Sequence, residues 1–128
     1  VNAPKEGKKT VVIFEDALAT QELLKIFFSK LGYATKIYGD GGDAVGRVRR
    51  DAPALVMMDL MMPGQSGFEA CADIRKEDTK TPIVVLSVLT DDDHRERALS
   101  AGADVYLVKP FKPSDLEAVI SPLLARPR

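Results

Sequence analysis

The sequence predicts an α/β protein, a doubly wound sandwich around a parallel five-stranded sheet, for which the order 2-1-3-4-5 is taken. Three observations predict the sandwich. Short β-rich runs alternate five times with longer helical patterns, as expected for parallel strands joined by helical crossovers. Most of those runs are apolar nearly throughout, which suits strands covered on both faces. The length, 128 residues, fits one domain and is about half of what a closed eight-fold barrel needs. Right-handed crossovers in so short a chain favour an open sheet with helices on both sides.

Each element has its own signal. Val1 to Lys9 mix Pro, Gly, Lys and Asn and read as a mobile tail; residues 10–124 form the domain and 125–128 a second tail. The first strand is Thr10 to Phe14, ending in Glu15 and Asp16. Leu23, Leu24, Phe27, Phe28 and Leu31 then make one helical stripe, closed by Gly32. Tyr33 to Tyr38 alternates like a more exposed strand, and Gly39 to Gly42 leads into a short helix through Ala44, Val45 and Val48. Ala54 to Met58 is a buried strand ending at Asp59. The loop Met61-Met62-Pro63-Gly64 precedes a helix carrying Phe68, Cys71 and Ile74. Pro82 to Leu86 is the fourth strand, ending at Ser87; a helical pattern follows from Asp92 to Ala101, stopped by Gly102. Val105 to Val108 is the fifth, ending at Lys109-Pro110. The last helix starts near Pro113, and Pro122 is expected to kink it or stop it near Ser121.

Composition narrows the function. Apolar residues make up 45%, enough to bury a core rather than form a disordered tail. Lys and Arg total 18 against 19 Asp and Glu, a net charge of −1, so no basic footprint for nucleic acid or an anionic membrane surface is expected. The single cysteine, Cys71, excludes an internal disulfide and suits a cytoplasmic location. No apolar run approaches the ~20 residues of a membrane span.

Chemistry collects at the strand ends. Ligands of open parallel sheets bind beyond the carboxyl edge, where strand order reverses. That point brings Glu15, Asp16 and Asp59 together, with Ser87 and Lys109 on neighbouring ends. Two unit charges ~4 Å apart repel by about 4 kcal/mol at an effective dielectric of 20, so the acids need compensation. Lys109 supplies one charge, and an all-oxygen site suits Mg²⁺. With Mg²⁺ holding one phosphate oxygen, Ser87 and Lys109 are placed to hold the others, the apparatus of phosphoryl transfer.

The set resembles the receiver domain of two-component response regulators, with its flavodoxin-like fold. The residues that carry the resemblance are Glu15-Asp16, Asp59-Leu60-Met61-Met62-Pro63-Gly64 with Gly67, Ser87, Tyr106 and Lys109-Pro110-Phe111, spread from Thr10 to about Leu124. The resemblance implies that Asp59 takes a phosphoryl group from a histidine kinase, a phosphotransfer protein or a small phosphodonor. It implies that Glu15, Asp16, Asp59 and the Met61 backbone carbonyl hold Mg²⁺, or Mn²⁺ in its place. Ser87 would bind a phosphoryl oxygen, Lys109 would pair with another, and the Lys109–Pro110 bond would be cis. Tyr106 would turn inward as Ser87 moves, changing the surface of the fourth helix, fifth strand and fifth helix. A downstream protein, an output domain beyond Arg128 or a homodimer would read that surface. The protein would be a signalling phosphoacceptor, catalysing only its own phosphorylation and dephosphorylation.

Plainer readings compete. Asp59 and Glu15-Asp16 can be helix caps; Asp91-Asp92-Asp93 reads as a cap favoured by the helix dipole rather than a second metal site. His94 reads as a solvated helix residue, Cys71 as core, and Arg47, Arg49, Arg50, Arg75 and Lys76 as solvated faces. Gly39-Asp40-Gly41-Gly42-Asp43-Ala44 fits a dinucleotide loop, but its two acids would stand beside a pyrophosphate. A phosphatase of the haloacid-dehalogenase type needs a second acid two residues after its nucleophile, where Met61 stands. The remaining alternative is a receiver-like module that binds proteins without phosphorylation. Met61 and Leu89 are both apolar near the acyl-phosphate position and Val88 adds bulk, so slow hydrolysis is expected.

Overall fold

The computed structural model describes residues 9–126. Its elements are β1 (Thr10–Phe14), α1 (Leu18–Lys30), β2 (Ala34–Tyr38), α2 (Ala44–Asp51), β3 (Leu55–Asp59), α3 (Gly67–Arg75), β4 (Ile83–Ser87), α4 (Asp92–Ser100), β5 (Val105–Val108) and α5 (Pro113–Leu124). The strands pair in parallel in the order β2-β1-β3-β4-β5. Every residue of β3 and β4 is buried, while β2 is half-buried at an edge. That difference explains continuous apolar runs in the centre and alternation at the rim.

The two-residue period of the strands divides the core. Val11, Ile13, Leu55, Met57, Val84 and Leu86 pack on one face with Leu24 and Phe28 of α1 and Leu116 and Ile120 of α5. Val12, Phe14, Val56, Met58 and Val85 face Ala44 and Val48 of α2, Cys71 and Ile74 of α3, and Ala98 of α4. Each large side chain removed from water contributes roughly 1.5–3 kcal/mol. These two layers clamp the sheet, so its carboxyl edge is a rigid platform.

Helix ends follow their chemistry. Gly32 lies just beyond α1 with φ +88°, the left-handed backbone a glycine adopts without strain. Asp91 caps α4 by accepting the His94 amide, so the acidic run is the predicted cap. In the Gly39–Ala44 loop, Asp40 accepts the Gly42 amide and the Gly41 amide donates to the Pro63 carbonyl. Those donors are therefore committed, which argues against a pyrophosphate there.

Several expectations need correction. Helix α5 continues through Pro122 to Leu124 instead of stopping near Ser121. A proline in the last turn removes only one amide donor, and the turn is held by buried Leu123 and by the Ala125 amide on the Ser121 carbonyl. Arg75 is no solvated side chain: it donates to the carbonyls of Thr81 (2.6 Å), Gly102 (2.8 Å) and Asp78 (3.1 Å) and pairs with Asp104 (2.8 Å). Arg47 pairs with Asp40 and lies 4.4 Å over the Tyr38 ring. His94 stays partly solvated, its side chain 38% exposed, while it stacks on Phe68 and hydrogen-bonds the Asp91 carboxylate. The two arginines leave solvent because their guanidinium donors meet waiting acceptors. The expected amino-terminal tail falls outside the described residues except for Lys9, whose carbonyl accepts the Ala34 amide; residues 127–128 of the second tail fall outside as well.

Candidate functional site

Four strand ends build a site at the carboxyl edge. Asp59 is the last residue of β3 and only 5% exposed. Its Oδ1 accepts a hydrogen bond from the Met61 amide at 2.9 Å, and its Oδ2 accepts one from the Lys109 ammonium at 2.7 Å. Glu15, just after β1, is fully buried. Its Oε2 accepts the Ala17 amide at 3.0 Å, so it also braces the entry to α1. Lys109 Nζ stands 2.6 Å from Glu15 Oε1, but off the hydrogen-bonding direction, and that oxygen has no hydrogen-bond partner. Asp16 is exposed, and one carboxylate oxygen from each of Glu15, Asp16 and Asp59 lies within 4.8 Å of the others.

The electrostatics are unbalanced. Three carboxylates face one ammonium, and repulsion between close carboxylates is worth several kcal/mol at low effective dielectric. Burial pushes the Glu15 carboxyl above its ordinary value, with Asp59 adding to the rise and Lys109 and the Ala17 amide opposing it. Burial alone would lower the Lys109 pKa, yet the hydrogen bond to Asp59 and the close negative charges of Asp59 and Glu15 outweigh it and hold the ammonium above its usual value. A buried carboxylate oxygen that lacks a hydrogen bond and shares one ammonium with Asp59, beside the exposed carboxylate of Asp16, is a donor set a hard divalent cation takes. The residues present therefore fit Mg²⁺ at this corner.

Ser87 and Tyr106 lie to one side. Ser87 ends β4 and is 1% exposed. Its Oγ accepts the Leu89 amide at 3.0 Å rather than bonding the acids. Tyr106 of β5 is buried, and its hydroxyl donates to the Leu89 carbonyl at 2.8 Å. The side chain therefore lies inward while Ser87 holds the same loop residue. Met61 is 65% exposed in the loop after β3. The Lys109–Pro110 peptide bond is cis.

Three interactions escaped the sequence reading. Gln21 of α1 donates to the Glu15 carbonyl at 2.6 Å, fixing the strand end from a helical turn away. Arg95 of α4 lies 5.3 Å over the Tyr106 ring. The Leu89 backbone joins Ser87 to Tyr106. None has a sequence signal, because each depends on which helix face meets which strand. Gly67 was found by pattern, and its reason is now visible. A Cβ there would lie 2.6 Å from the Asp59 carbonyl oxygen and 2.7 Å from Leu60 Cα.

Comparison with known proteins agrees with this geometry. The family described as the response regulator receiver domain matches residues 11–121. The DNA-binding response regulator MtrA of Mycobacterium tuberculosis is 37% identical over 119 residues, covering 93% of this chain and 52% of MtrA. The chain thus spans about half the length of the curated relatives it matches. Among solved structures, the BeF3-activated N-terminal receiver domain of Klebsiella pneumoniae RstA is similar, with TM-score 0.85 and 29% identity over 91% of this chain and 99% of that one. The receiver domain of the Pseudomonas aeruginosa sensor histidine kinase PA1611, solved with magnesium in its active-site cleft, gives TM-score 0.84 and 27% identity over 94% and 100%. With the match spanning almost the whole sheet and both structural neighbours sharing its architecture, the chain belongs to the response regulator receiver domain family.

Proposed function

We propose that Asp59 is the phosphoacceptor, taking its phosphoryl group from a histidine kinase, a phosphotransfer protein or a small phosphodonor. The supporting observation is a nearly buried carboxylate held at both oxygens, by the Met61 amide and the Lys109 ammonium, at the mouth of an acidic corner. In the transfer from a phosphohistidine, an Asp59 oxygen forms the new bond to phosphorus. The nitrogen–phosphorus bond breaks, and its electron pair returns to the donor imidazole. Lys109 is already in place to meet charge growing on the phosphoryl oxygens.

Glu15, Asp16 and Asp59, with the Met61 carbonyl, would hold Mg²⁺ or Mn²⁺. The ion supplies positive charge toward the incoming phosphoryl oxygens. Ser87 is the candidate hydroxyl partner for another of them. On turning to it, Ser87 releases the Leu89 amide, and Leu89 also carries the Tyr106 hydrogen bond. The proposed signal thus passes through one loop residue to the α4–β5–α5 surface. The family's named relatives include DNA-binding regulators about twice this length. We therefore place the readout in a downstream partner, an attached output domain or a homodimer through that surface, with residues 10–124 as the receiver unit and the cytoplasm as its compartment.

The test is incubation of the full chain with acetyl phosphate or beryllofluoride and Mg²⁺. The expected result is an intact-mass gain of one phosphoryl group with acetyl phosphate, absent in Asp59→Asn, and NMR shifts at Ser87, Leu89 and Tyr106 with either reagent. Neither mass gain nor shift would replace this reading with a phosphorylation-independent binding module.

A further inference from the structure

At the opposite edge of the sheet, the structure has a second polar cavity of about 200 Å³. It is lined by residues that precede strands β1, β2, β3 and β4 (Lys9, Tyr33, Ala54 and Pro82), by Lys80 of the α3–β4 loop, and by the end of α5. Lys9, Lys80 and Arg126 come from three separate chain segments, yet all three line this one cavity. Among the described residues no carboxylate lines it. In a chain with more acids than bases, that is a local reversal of charge.

Among the described residues, Asp78 beside Lys80 and Asp104 beside Arg126 are already engaged. Asp78 accepts the Lys80 amide, the Thr81 amide and the Thr81 hydroxyl. Asp104 pairs with Arg75 at 2.8 Å and accepts the Ile83 amide at 2.8 Å, leaving Arg126 a longer contact of 3.4 Å. Lys9 and Lys80 make no ion pair among the described residues. The walls between the cations are apolar: Ala54 and Leu123 are buried, and Leu124 and the Tyr33 ring are half-buried. A cavity with a cationic rim and apolar walls matches a small organic anion, its charge on the ammonium and guanidinium groups and its body against the leucines.

We propose that this cavity binds a compact organic anion, a phosphomonoester or carboxylate on a small apolar body. The site is independent of the acidic corner, since β3 runs between them and its five residues span about 13 Å at ~3.3 Å per residue. It also touches the last turn of α5, the point from which the chain leaves the domain. Occupancy would therefore bear on that exit rather than on phosphoryl chemistry.

The test is an NMR titration of the full-length Asp59→Asn chain, without divalent metal and at constant ionic strength. Its arms are phenyl phosphate, benzoate, inorganic phosphate and sodium chloride. The expected result is saturable shifts at Lys9, Tyr33, Lys80 and Arg126 with phenyl phosphate or benzoate, and weaker binding of inorganic phosphate. Whichever organic arm binds more tightly identifies the anion class. The exposed double variant Lys80→Ala/Arg126→Ala should keep its amide spectrum elsewhere and weaken binding at least about twofold, given ~0.2–1 kcal/mol per exposed charge contact. Shifts that are linear in concentration, equal to those of sodium chloride, unchanged in the double variant or centred on Glu15 and Asp16 would overturn the proposal.

Discussion

Lys109 Nζ lies 2.7 Å from Asp59 Oδ2, although 50 positions separate the two residues along the chain. The same ammonium is 2.6 Å from Glu15 Oε1. One cation is thus shared by two carboxylates that the sheet forces together, which leaves a net negative charge at the corner.

Lys109→Ala should accordingly destabilise the metal-free protein by about 3 kcal/mol, the scale for leaving a partly buried charge without its partner. Urea unfolding in EDTA checks this, and Mg²⁺ should restore part of the loss by binding the folded state. The pH dependence has a definite sign. Lys109 is held above its ordinary 10.5, so its contribution is complete below that value and fades as pH rises through the higher folded-state value. No recovery in Mg²⁺ would show that the acids do not form a cation site.

Glu15 predicts the opposite behaviour in acid. Burial, followed by smaller contributions, leaves its carboxyl pKa raised from 4.5, so the folded state binds that proton more tightly than the unfolded one. Ionisation of Glu15 therefore costs stability at neutral pH, a cost that disappears as pH falls through the folded value toward 4.5. Glu15→Gln should raise the Tm in EDTA at pH 7 and remove the upward shift that Mg²⁺ gives the wild type. A lower Tm in EDTA, with the Mg²⁺ shift intact, would contradict both halves.

Met61→Asn with Leu89→Glu should shorten the lifetime of the phosphorylated protein at least about fivefold, equivalent to ~1 kcal/mol of barrier. Met61 is exposed beside Asp59 and Leu89 half-buried next to Ser87, so polar groups there can orient a water that thioether and isobutyl groups cannot. Loss of phosphoryl mass over time measures it, and an unchanged decay would mean that water reaches the site by another route.

Arg75→Ala should cost about 2–4 kcal/mol in urea unfolding. The side chain is 16% exposed and joins the end of α3 to the carbonyls of Thr81 and Gly102 and to Asp104. Removing it leaves those buried acceptors and the Asp104 carboxylate short of a donor. Arg75→Lys should recover only part of the loss, because one ammonium lacks the planar fork that reaches several acceptors.

Arg95→Ala should loosen Tyr106 without unfolding the domain. The guanidinium 5.3 Å above the ring contributes about 0.5–1 kcal/mol, so the equilibrium constant favouring the inward position should fall by a factor of roughly two to five. Increased acrylamide quenching at Tyr106, in a background with the other two tyrosines changed to Phe, reports it. Equal quenching in both proteins would assign the inward position to the Leu89 hydrogen bond alone.

The sequence by itself determined the alternation of five strands and five helices, the split between buried and rim strands, and the acids, hydroxyl and lysine at successive strand ends. These are local signals: a two-residue or 3.6-residue period, a glycine stop, an apolar run. It overstated the break at Pro122, because a local rule has no knowledge of the burial of Leu123 that holds the last turn. It also mistook Arg75 and Arg47 for solvated side chains, since charge alone does not reveal a waiting set of acceptors. Tertiary structure decided that Lys109 bridges Glu15 and Asp59, that Leu89 joins Ser87 to Tyr106, and that Lys9, Lys80 and Arg126 share a cavity. Each of these is a distance between residues remote in the chain, and such distances are set only when the helices pack the sheet.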